Sequence, residues 1–195
     1  MEAAPESPTL ESKTDRVTVN LGPQHPSTHG VFRLVLTLEG ETVVDADAVV
    51  GYLHRGTEKL AEEGTYQQNV AYTDRLDYLS GMLNNFAYTL AVEKVDGMQI
   101  PERAEYLRVI AGEMSRIASH MVFVGTFAAD LGTYFTPLMY TFREREAILD
   151  LLEMLCGARL TFSYYRVGGV AADAPPGWVD RCKALMERLP GKIDE

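Results

Sequence analysis

The sequence predicts an α+β protein, in which a small antiparallel β-sheet precedes long antiparallel helices that form part of a helical bundle. Apolar and polar residues alternate in the segments before Gly51, which is the pattern of half-buried strands. From Thr57 onward, apolar residues recur at spacings of three and four, which is the pattern of amphipathic helices. A composition of 46% hydrophobic and 24% charged residues is ordinary for a globular protein.

The predicted sheet has one covered face, because its apolar side chains alternate with polar ones. A turn at Glu39-Gly40 joins its last two strands, since glycine accepts a positive φ. Residues 1–15 are polar, acidic and proline-containing, so we expect a disordered lead-in there and the sheet with its loop over residues 16–56. Three strands are expected: Arg16–Leu21, Val31–Leu38 and Thr42–Val50.

A helical region is predicted over residues 57–195. Pro101 suits the start of a helix, where its missing N–H costs nothing. The stretch Arg166–Gly169 is predicted as a loop. The apolar stripes are wider than one neighbouring helix covers, so the bundle is incomplete and further helices are expected from sequence outside this chain or from another subunit. The expected helices are Thr57–Glu63, Thr73 or Asp74 to about Glu93, Pro101 to Leu131, Thr136–Gly157 and Pro176–Leu189.

Composition excludes several classes of function. The net charge of -10, from 28 acidic and 18 basic residues, disfavours nucleic acid as a partner. No apolar run approaches the roughly 18 residues of a spanning helix. We therefore expect a chain that is soluble, or that meets a membrane through partners. Cys156 and Cys182 are the two cysteines and cannot hold an iron–sulfur cluster, which needs about four thiolates. No metal site is predicted.

The most unusual segment is the loop Gly22–Gly30, GPQHPSTHG, which contains His25 and His29. Two prolines and two glycines restrict its backbone, as a rigid loop that presents a proton-active side chain requires. The alternative is a hairpin loop whose histidines bond only to backbone. Pro26 breaks any helix, so the two rings do not share a helical face and a shared metal is disfavoured.

Two further segments carry candidate side chains, each with a structural alternative. In GYLHRGTEKL, His54 and Arg55 precede a helix and could belong to an ordinary capped turn. In YTDRLDY, Arg75 and Tyr78 fall in the first turn of the predicted helix, with Tyr78 off the apolar stripe. Such a tyrosine is either an interface residue with a bonded hydroxyl or a catalytic proton donor.

The end of the long helix carries a last polar group, with Glu113, Arg116, His120 and Asp130 on one face. A solvated charged face is the alternative there. A Gly-rich phosphate loop, an HExxH pair and a nucleophile elbow are all missing from the sequence, which removes the common chemistries that such motifs carry.

Five ordered stretches resemble the quinone-site subunit of respiratory complex I, an NADH-quinone oxidoreductase, known as the 49 kDa or D-type subunit: GPQHPSTHGVFRL, GYLHRGTEKL, TYQQNVAYTDRLDYL, ASHMVFVGTFAADLG and FREREAILDLLE. The resemblance covers about Arg16 to Glu195 and corresponds to the N-terminal half of the family. The chain would then be a fragment, a truncated reading frame or one piece of a split subunit. The family's fold is similar to the nickel–iron hydrogenase large subunit, but the CxxC pair of such enzymes is missing near DRLDY, which excludes hydrogen activation.

The resemblance implies roles for individual residues. His29 and Tyr78 match the pair that hydrogen-bonds the two quinone carbonyls, and Asp130 matches the acidic partner of that histidine. Arg75 matches an arginine near a terminal [4Fe-4S] cluster, which a neighbouring subunit holds. Thr161 stands where family members commonly carry a histidine near that cluster, so we expect a cluster potential that does not vary with pH; the usual pH slope would contradict this expectation.

The resemblance also implies a proton-pumping NADH:quinone oxidoreductase that is active only as a complex and uses NAD in another subunit. Implied partners are the small cluster-bearing (B-type) subunit, the 30 kDa (C-type) subunit and the H-type subunit of the membrane arm, at the cytoplasmic side of the bacterial inner membrane. The chemistry is consistent, because Tyr, with a pKa of about 10, and His, at about 6.5, can both give protons to a quinone. A non-catalytic scaffold or docking fragment of the same complex is the alternative.

Overall fold

A computed structural model describes residues 15–28, 30–134 and 136–194 of the chain. These residues form two compact units, one ending at Gly56 and the other beginning at Thr57. The predicted α+β class is confirmed, because small antiparallel sheets occur together with long helices. The lead-in expected over residues 1–15 lies, apart from Asp15, outside the described residues.

The first unit is a three-stranded antiparallel sheet in the order β1-β4-β5, with a short hairpin between its first two strands. In register, Val19 pairs with Leu36 and Leu36 with Ala46. The predicted covered face is wrong for this chain. None of the described residues up to Gly56 is buried, because no helix of this unit lies over the sheet. The strands are β1 (Arg16–Leu21), β2 (Gln24–His25), β3 (Gly30–Val31), β4 (Arg33–Glu39) and β5 (Thr42–Val49).

The second unit is mainly helical. The long predicted helix is confirmed as a helix of 29 residues with Pro101 at its N-cap. A short β-hairpin lies between its last two helices. The residues predicted as a loop, Arg166–Gly169, form the turn of this hairpin and its closing pair. The helices are α1 (Thr57–Glu63), α2 (Tyr66–Thr73), α3 (Gly81–Asp96), α4 (Glu102–Asp130), α5 (Thr136–Cys156) and α6 (Trp178–Ile193), and the hairpin strands are β6 (Tyr165–Arg166) and β7 (Gly169–Val170).

The helix predicted from Thr73 or Asp74 to about Glu93 is wrong at its start. Helix α2 ends at Thr73, a turn occupies residues 74–80, and α3 begins at Gly81. The turn forms because polar groups there bond locally or at long range instead of continuing the helix. The Asp77 carboxylate accepts the Leu79 N–H at 3.1 Å, which is a typical Asx turn. Leu76 is consequently 65% exposed and belongs to no apolar stripe.

The core of this unit lies between α4, α5 and α6. Ile148, Leu152 and Trp178 are fully buried, and the Trp178 indole N–H donates to the Leu151 carbonyl at 2.8 Å. Helices α4 and α5 approach closely at Gly125, where a Cβ would stand 3.0 Å from the Leu138 Cα. Only a residue without a side chain allows this contact.

Helix α6 begins and ends later than expected. It starts at Trp178, because Gly177 adopts a φ of 78° that a helix does not accept, and it continues through Pro190 to Ile193. No helix among the described residues combines the length and the apolar composition that crossing a membrane requires.

Candidate functional site

The loop Gly22–Gly30 is a tightly braced hairpin. Strands β2 and β3 pair His25 with Gly30, and the Thr28 hydroxyl donates to the His25 carbonyl at 2.8 Å. Gly22 has a φ of +82°, and a Cβ there would stand 1.8 Å from the Phe32 carbonyl oxygen. The loop therefore requires glycine at this position in order to lie against its own sheet.

The structure describes only one of the two histidines of this loop. The His25 Nδ1 accepts the Ser27 N–H at 3.1 Å, so this ring is used to brace the loop. His29 lies outside the described residues, although both of its neighbours, Thr28 and Gly30, belong to the braced hairpin. Its predicted contact with quinone stays a prediction.

The segment before α1 is a turn stabilised by its own histidine. The His54 Nδ1 accepts the Gly56 N–H at 3.3 Å, and the His54 N–H donates to the Gly51 carbonyl at 3.1 Å. The geometry matches the structural alternative for this motif, a turn that leads into the helix.

Arg75 and Tyr78 lie in the turn 74–80, not in the first turn of a helix as predicted. Tyr78 is 60% exposed, so its phenol is open to a ligand. The Arg75 Nη1 donates to the Ala71 carbonyl at 2.6 Å, which folds the guanidinium back along the end of α2. The Asn84 side chain donates to the Asp77 carbonyl at 3.1 Å and ties the turn to α3. The turn is thus a braced platform with an exposed tyrosine.

Asp130 is the last residue of α4 and is exposed. A carboxylate at the C-terminal end of a helix opposes the helix dipole, which disfavours it by about 0.3–1 kcal/mol. A cationic group beside the carboxylate would offset this cost. The predicted pairing with a protonated histidine would supply such a group. That pairing stays a prediction, because His29 lies outside the described residues.

The structure brings together two segments that the resemblance associates with the terminal cluster. The Asp74 carboxylate, next to Arg75, accepts the Ser163 N–H at 3.1 Å. Thr161, two residues earlier, has a φ of +52°, which is rare for a β-branched residue. The turn 74–80 and the stretch around Thr161 are therefore neighbours, whereas Asp130 lies at the end of a different element and His29 lies outside the described residues.

The sequence analysis missed a buried ion pair between α3 and α4. The Arg108 guanidinium makes two bonds to the Glu93 carboxylate, at 2.5 and 2.9 Å, and both side chains are almost wholly buried. Arg108 also donates to the Gly169 carbonyl, and the Gly168 N–H donates to Glu93. The only signal in the sequence was a charged residue at a helical position facing apolar neighbours. Its partners lie up to 75 residues away.

Burial changes the acidity of several groups in this unit. Burial raises the pKa of Asp74 above its usual value. The hydrogen bond from the Ser163 N–H and the Arg75 charge act in the opposite direction, but burial outweighs them. Burial also raises the pKa of the Cys156 thiol, and it raises that of Cys182 to about 11. Both cysteines are thus neutral thiols near neutral pH, and the Cys182 Sγ lies 3.9 Å from the Met114 Sδ.

The residues of this chain do not fit an iron–sulfur cluster. Its two cysteines cannot supply about four thiolates. Within the part of the chain that the structure describes, no three His, Cys, Asp or Glu side chains converge on a point where a metal ion could bind.

The sequence matches a known family over its last third. The family described as "Respiratory-chain NADH dehydrogenase, 49 Kd subunit" matches residues 130–195. The chain is 62% identical over 183 residues to the D-type subunit of NADH-quinone oxidoreductase from Desulforamulus reducens, covering 94% of this chain and 50% of that protein.

The chain belongs to this family, the 49 kDa or D-type subunits of NADH-quinone oxidoreductase. The corresponding protein of Carboxydothermus hydrogenoformans is 56% identical over 94% of this chain and 50% of its own length. That of Bacillus anthracis is 56% identical over 93% of this chain and 50% of its own length. The chain spans about half the length of the curated relatives it matches. The assignment to this family, made from ordered motifs, is confirmed.

Proposed function

We propose that this chain of the 49 kDa subunit family contributes part of the quinone site of a proton-pumping NADH:quinone oxidoreductase and acts only within that complex. The observation that carries the proposal is the braced turn 74–80, which holds the exposed phenol of Tyr78 beside Arg75 and next to the segment around Thr161. A rigid platform with an open proton donor is what a site for a planar dicarbonyl substrate needs.

Reduction of quinone to quinol takes up two electrons and two protons. The Tyr78 hydroxyl would give a proton to one carbonyl oxygen, and the His29 imidazolium would give one to the other. Asp130 would favour the charged form of His29, because a carboxylate within about 4–6 Å stabilises a cation. Each proton lost by these side chains is afterwards replaced from water.

Electrons would come from a [4Fe-4S] cluster in the small B-type partner, which supplies one electron at a time when bound. Arg75 would provide a positive charge near such a cluster. The 30 kDa (C-type) subunit and the H-type subunit of the membrane arm are the other proposed partners. The complex would use NAD in a different subunit, and this chain would lie peripherally at the cytoplasmic side of the bacterial inner membrane.

The alternative is a scaffold that docks other subunits without touching quinone. Exposed apolar side chains on α4, such as Tyr106, Phe123 and Phe127, favour a docking role for part of the surface. The rings of Phe123 and Phe127 stack with their centroids 5.6 Å apart. Docking and quinone binding use different residues, so one set of variants can separate them.

The test compares Tyr78→Phe and His29→Ala with Tyr106→Phe, all within the assembled complex. Tyr106 is a matched control, because it is 64% exposed against 60% for Tyr78. We expect the first two variants to reduce quinone turnover roughly 10²-fold, the usual effect of losing a general acid. NADH oxidation by an artificial acceptor that does not use the quinone site should stay at the wild-type rate. Wild-type quinone turnover in both variants would refute the proposed site.

A further inference from the structure

Asp74 is a fully buried carboxylate at the junction of three elements. Its Oδ2 accepts the Ser163 N–H from the stretch after α5. Its Oδ1 packs against Gly81 at the start of α3, where a Cβ would stand only 2.6 Å away. The space around this carboxyl is closed by backbone on both sides, so its position fixes the turn 74–80 against its neighbours.

Half of this carboxyl lacks a well-formed hydrogen bond. Among the described residues, neither Oδ1 of Asp74 nor Nδ2 of the adjacent Asn85 makes a hydrogen bond of good geometry, and the Asn85 amide favours the ionised carboxylate only weakly. Asn85 is itself held from the other side, since its Oδ1 accepts the Thr73 hydroxyl at 2.8 Å. A buried oxygen without a well-formed hydrogen bond is destabilising, and more so if the group is charged. An amide here would avoid the charge, so the carboxyl calls for a functional explanation.

The segment that Asp74 holds is strained. Thr161 and Ser163 have φ values of +52° and +45°, a conformation that is unfavourable for a residue with a side chain. Phe162 and Tyr164 are buried and anchor the segment from the other side. The hydrogen bond from the Ser163 N–H to Asp74 therefore helps to keep a strained backbone in place, and a charged acceptor makes that bond about twice as strong as a neutral one.

Few ionisable groups bear on Asp74. Arg75 lies in the same turn and favours the ionised form, and the Phe162 N–H and the Asn85 amide act in the same direction. Helix α5 contributes the Cys156 thiol, which is neutral near neutral pH. Helix α3 faces the carboxyl with Gly81 and Asn85, which do not ionise. Burial opposes the charge and outweighs the groups that favour it, so the pKa of Asp74 is raised.

We propose that Asp74 is a positioning residue for the proposed quinone site, and that its charge state sets how firmly the turn carrying Arg75 and Tyr78 is held to the segment Thr161–Ser163. This inference rests on the proposed function of Tyr78. In the ionised form the carboxylate holds the Ser163 N–H strongly and keeps the turn in its working geometry. In the neutral form that bond is weaker, and the turn is held less firmly.

The first test uses the assembled complex with Asp74→Asn, which keeps the shape and an acceptor oxygen but loses the charge. We expect quinone turnover to fall roughly tenfold near neutral pH, as small displacements of a positioned group do. The loss of activity on acidification expected of the wild type should also become flatter. Gly81→Ala, whose new Cβ displaces Oδ1, should lower turnover without flattening the pH profile. Asp173→Asn, an exposed site on another element, is the matched control and should match the wild type.

The second test needs no variant and measures hydrogen exchange at the Phe162 and Ser163 amides of the wild-type complex across pH, corrected for intrinsic rates. We expect protection roughly tenfold higher above the titration of Asp74 than below it. Uniform protection, or a wild-type pH profile in Asp74→Asn, would overturn the proposal.

The two proposals fail in different ways. A protection step together with unchanged quinone turnover in both Tyr78→Phe and His29→Ala overturns the quinone site and, with it, the role of Asp74 there. An effect of Tyr78→Phe without the protection step overturns the role of Asp74 alone.

Discussion

The buried pair of Glu93 and Arg108 joins three parts of the helical unit, and removing one partner tests how much it stabilises them. Arg108 binds Glu93 from α4 and also donates to the carbonyls of Arg166 and Gly169 in the hairpin, both at 2.8 Å. The Gly168 N–H completes the arrangement by donating to Glu93 at 2.8 Å. The substitution Glu93→Ala leaves the guanidinium buried without its counter-charge and the Gly168 N–H without its acceptor.

The expected loss follows from this geometry. Removing one member of a buried ion pair costs about 3–5 kcal/mol, because the remaining charge is desolvated and unpaired. At about 1.36 kcal/mol for each factor of ten, local opening should become roughly 10²-fold or more frequent. Burial raises the pKa of Glu93, but its bonds to Arg108 and Gly168 outweigh burial and the net pKa is lowered. Its stabilising effect is thus present above the unfolded pKa and is lost as pH falls through the folded pKa.

Hydrogen exchange at the amides of Gly168 and Ala171, measured in the complete subunit, reads this opening directly. The matched control is Asp173→Ala, which breaks an exposed pair with Arg103 at 2.8 Å and should change exchange less than about threefold. If Glu93→Ala altered exchange no more than the control does, the pair would not hold the hairpin and the reasoning would fail.

Three other predictions concern single positions. Gly125→Val should destabilise the α4–α5 contact by about 1–3 kcal/mol, because its side chain meets the Leu138 backbone; denaturant unfolding reads the loss. Thr161→Gly should raise stability by about 1 kcal/mol, since glycine relieves the positive φ; an unchanged unfolding midpoint would contradict the strain. The sole tryptophan, Trp178, is fully buried. Its fluorescence should therefore barely respond to a polar quencher in the folded protein, and it should shift to longer wavelength when the protein unfolds.

The elements that sequence analysis predicted well are those whose ends are fixed by local chemistry. Helix α4 follows Pro101 directly and ends just before Gly132, both of which act on their own neighbourhood. The predicted start of α3 was wrong, because the apolar residues within positions 74–80 have the spacing of a continuous helix. The turn there is stabilised by the local Asx turn of Asp77 and by the bond from the Ser163 N–H to Asp74, a contact across 89 residues that no local pattern reveals.

Sequence analysis likewise identified only part of the candidate site. The motifs that contain Tyr78 and Asp130 stand out in the sequence by their residue types, and the structure adds that both residues are exposed. Asp74, whose carboxylate accepts the Ser163 N–H, and the buried pair of Glu93 and Arg108 were not identified from the sequence. A buried charge and an exposed one look alike in a helical sequence until the partners at long range are known.

The most direct test of the quinone site is an experimental structure of the assembled complex with quinone bound. We predict that the Tyr78 hydroxyl and one ring nitrogen of His29 each lie about 2.5–3.2 Å from a different carbonyl oxygen of the head group, with Asp130 bonded to His29. A head group bound out of reach of both Tyr78 and His29 would contradict it.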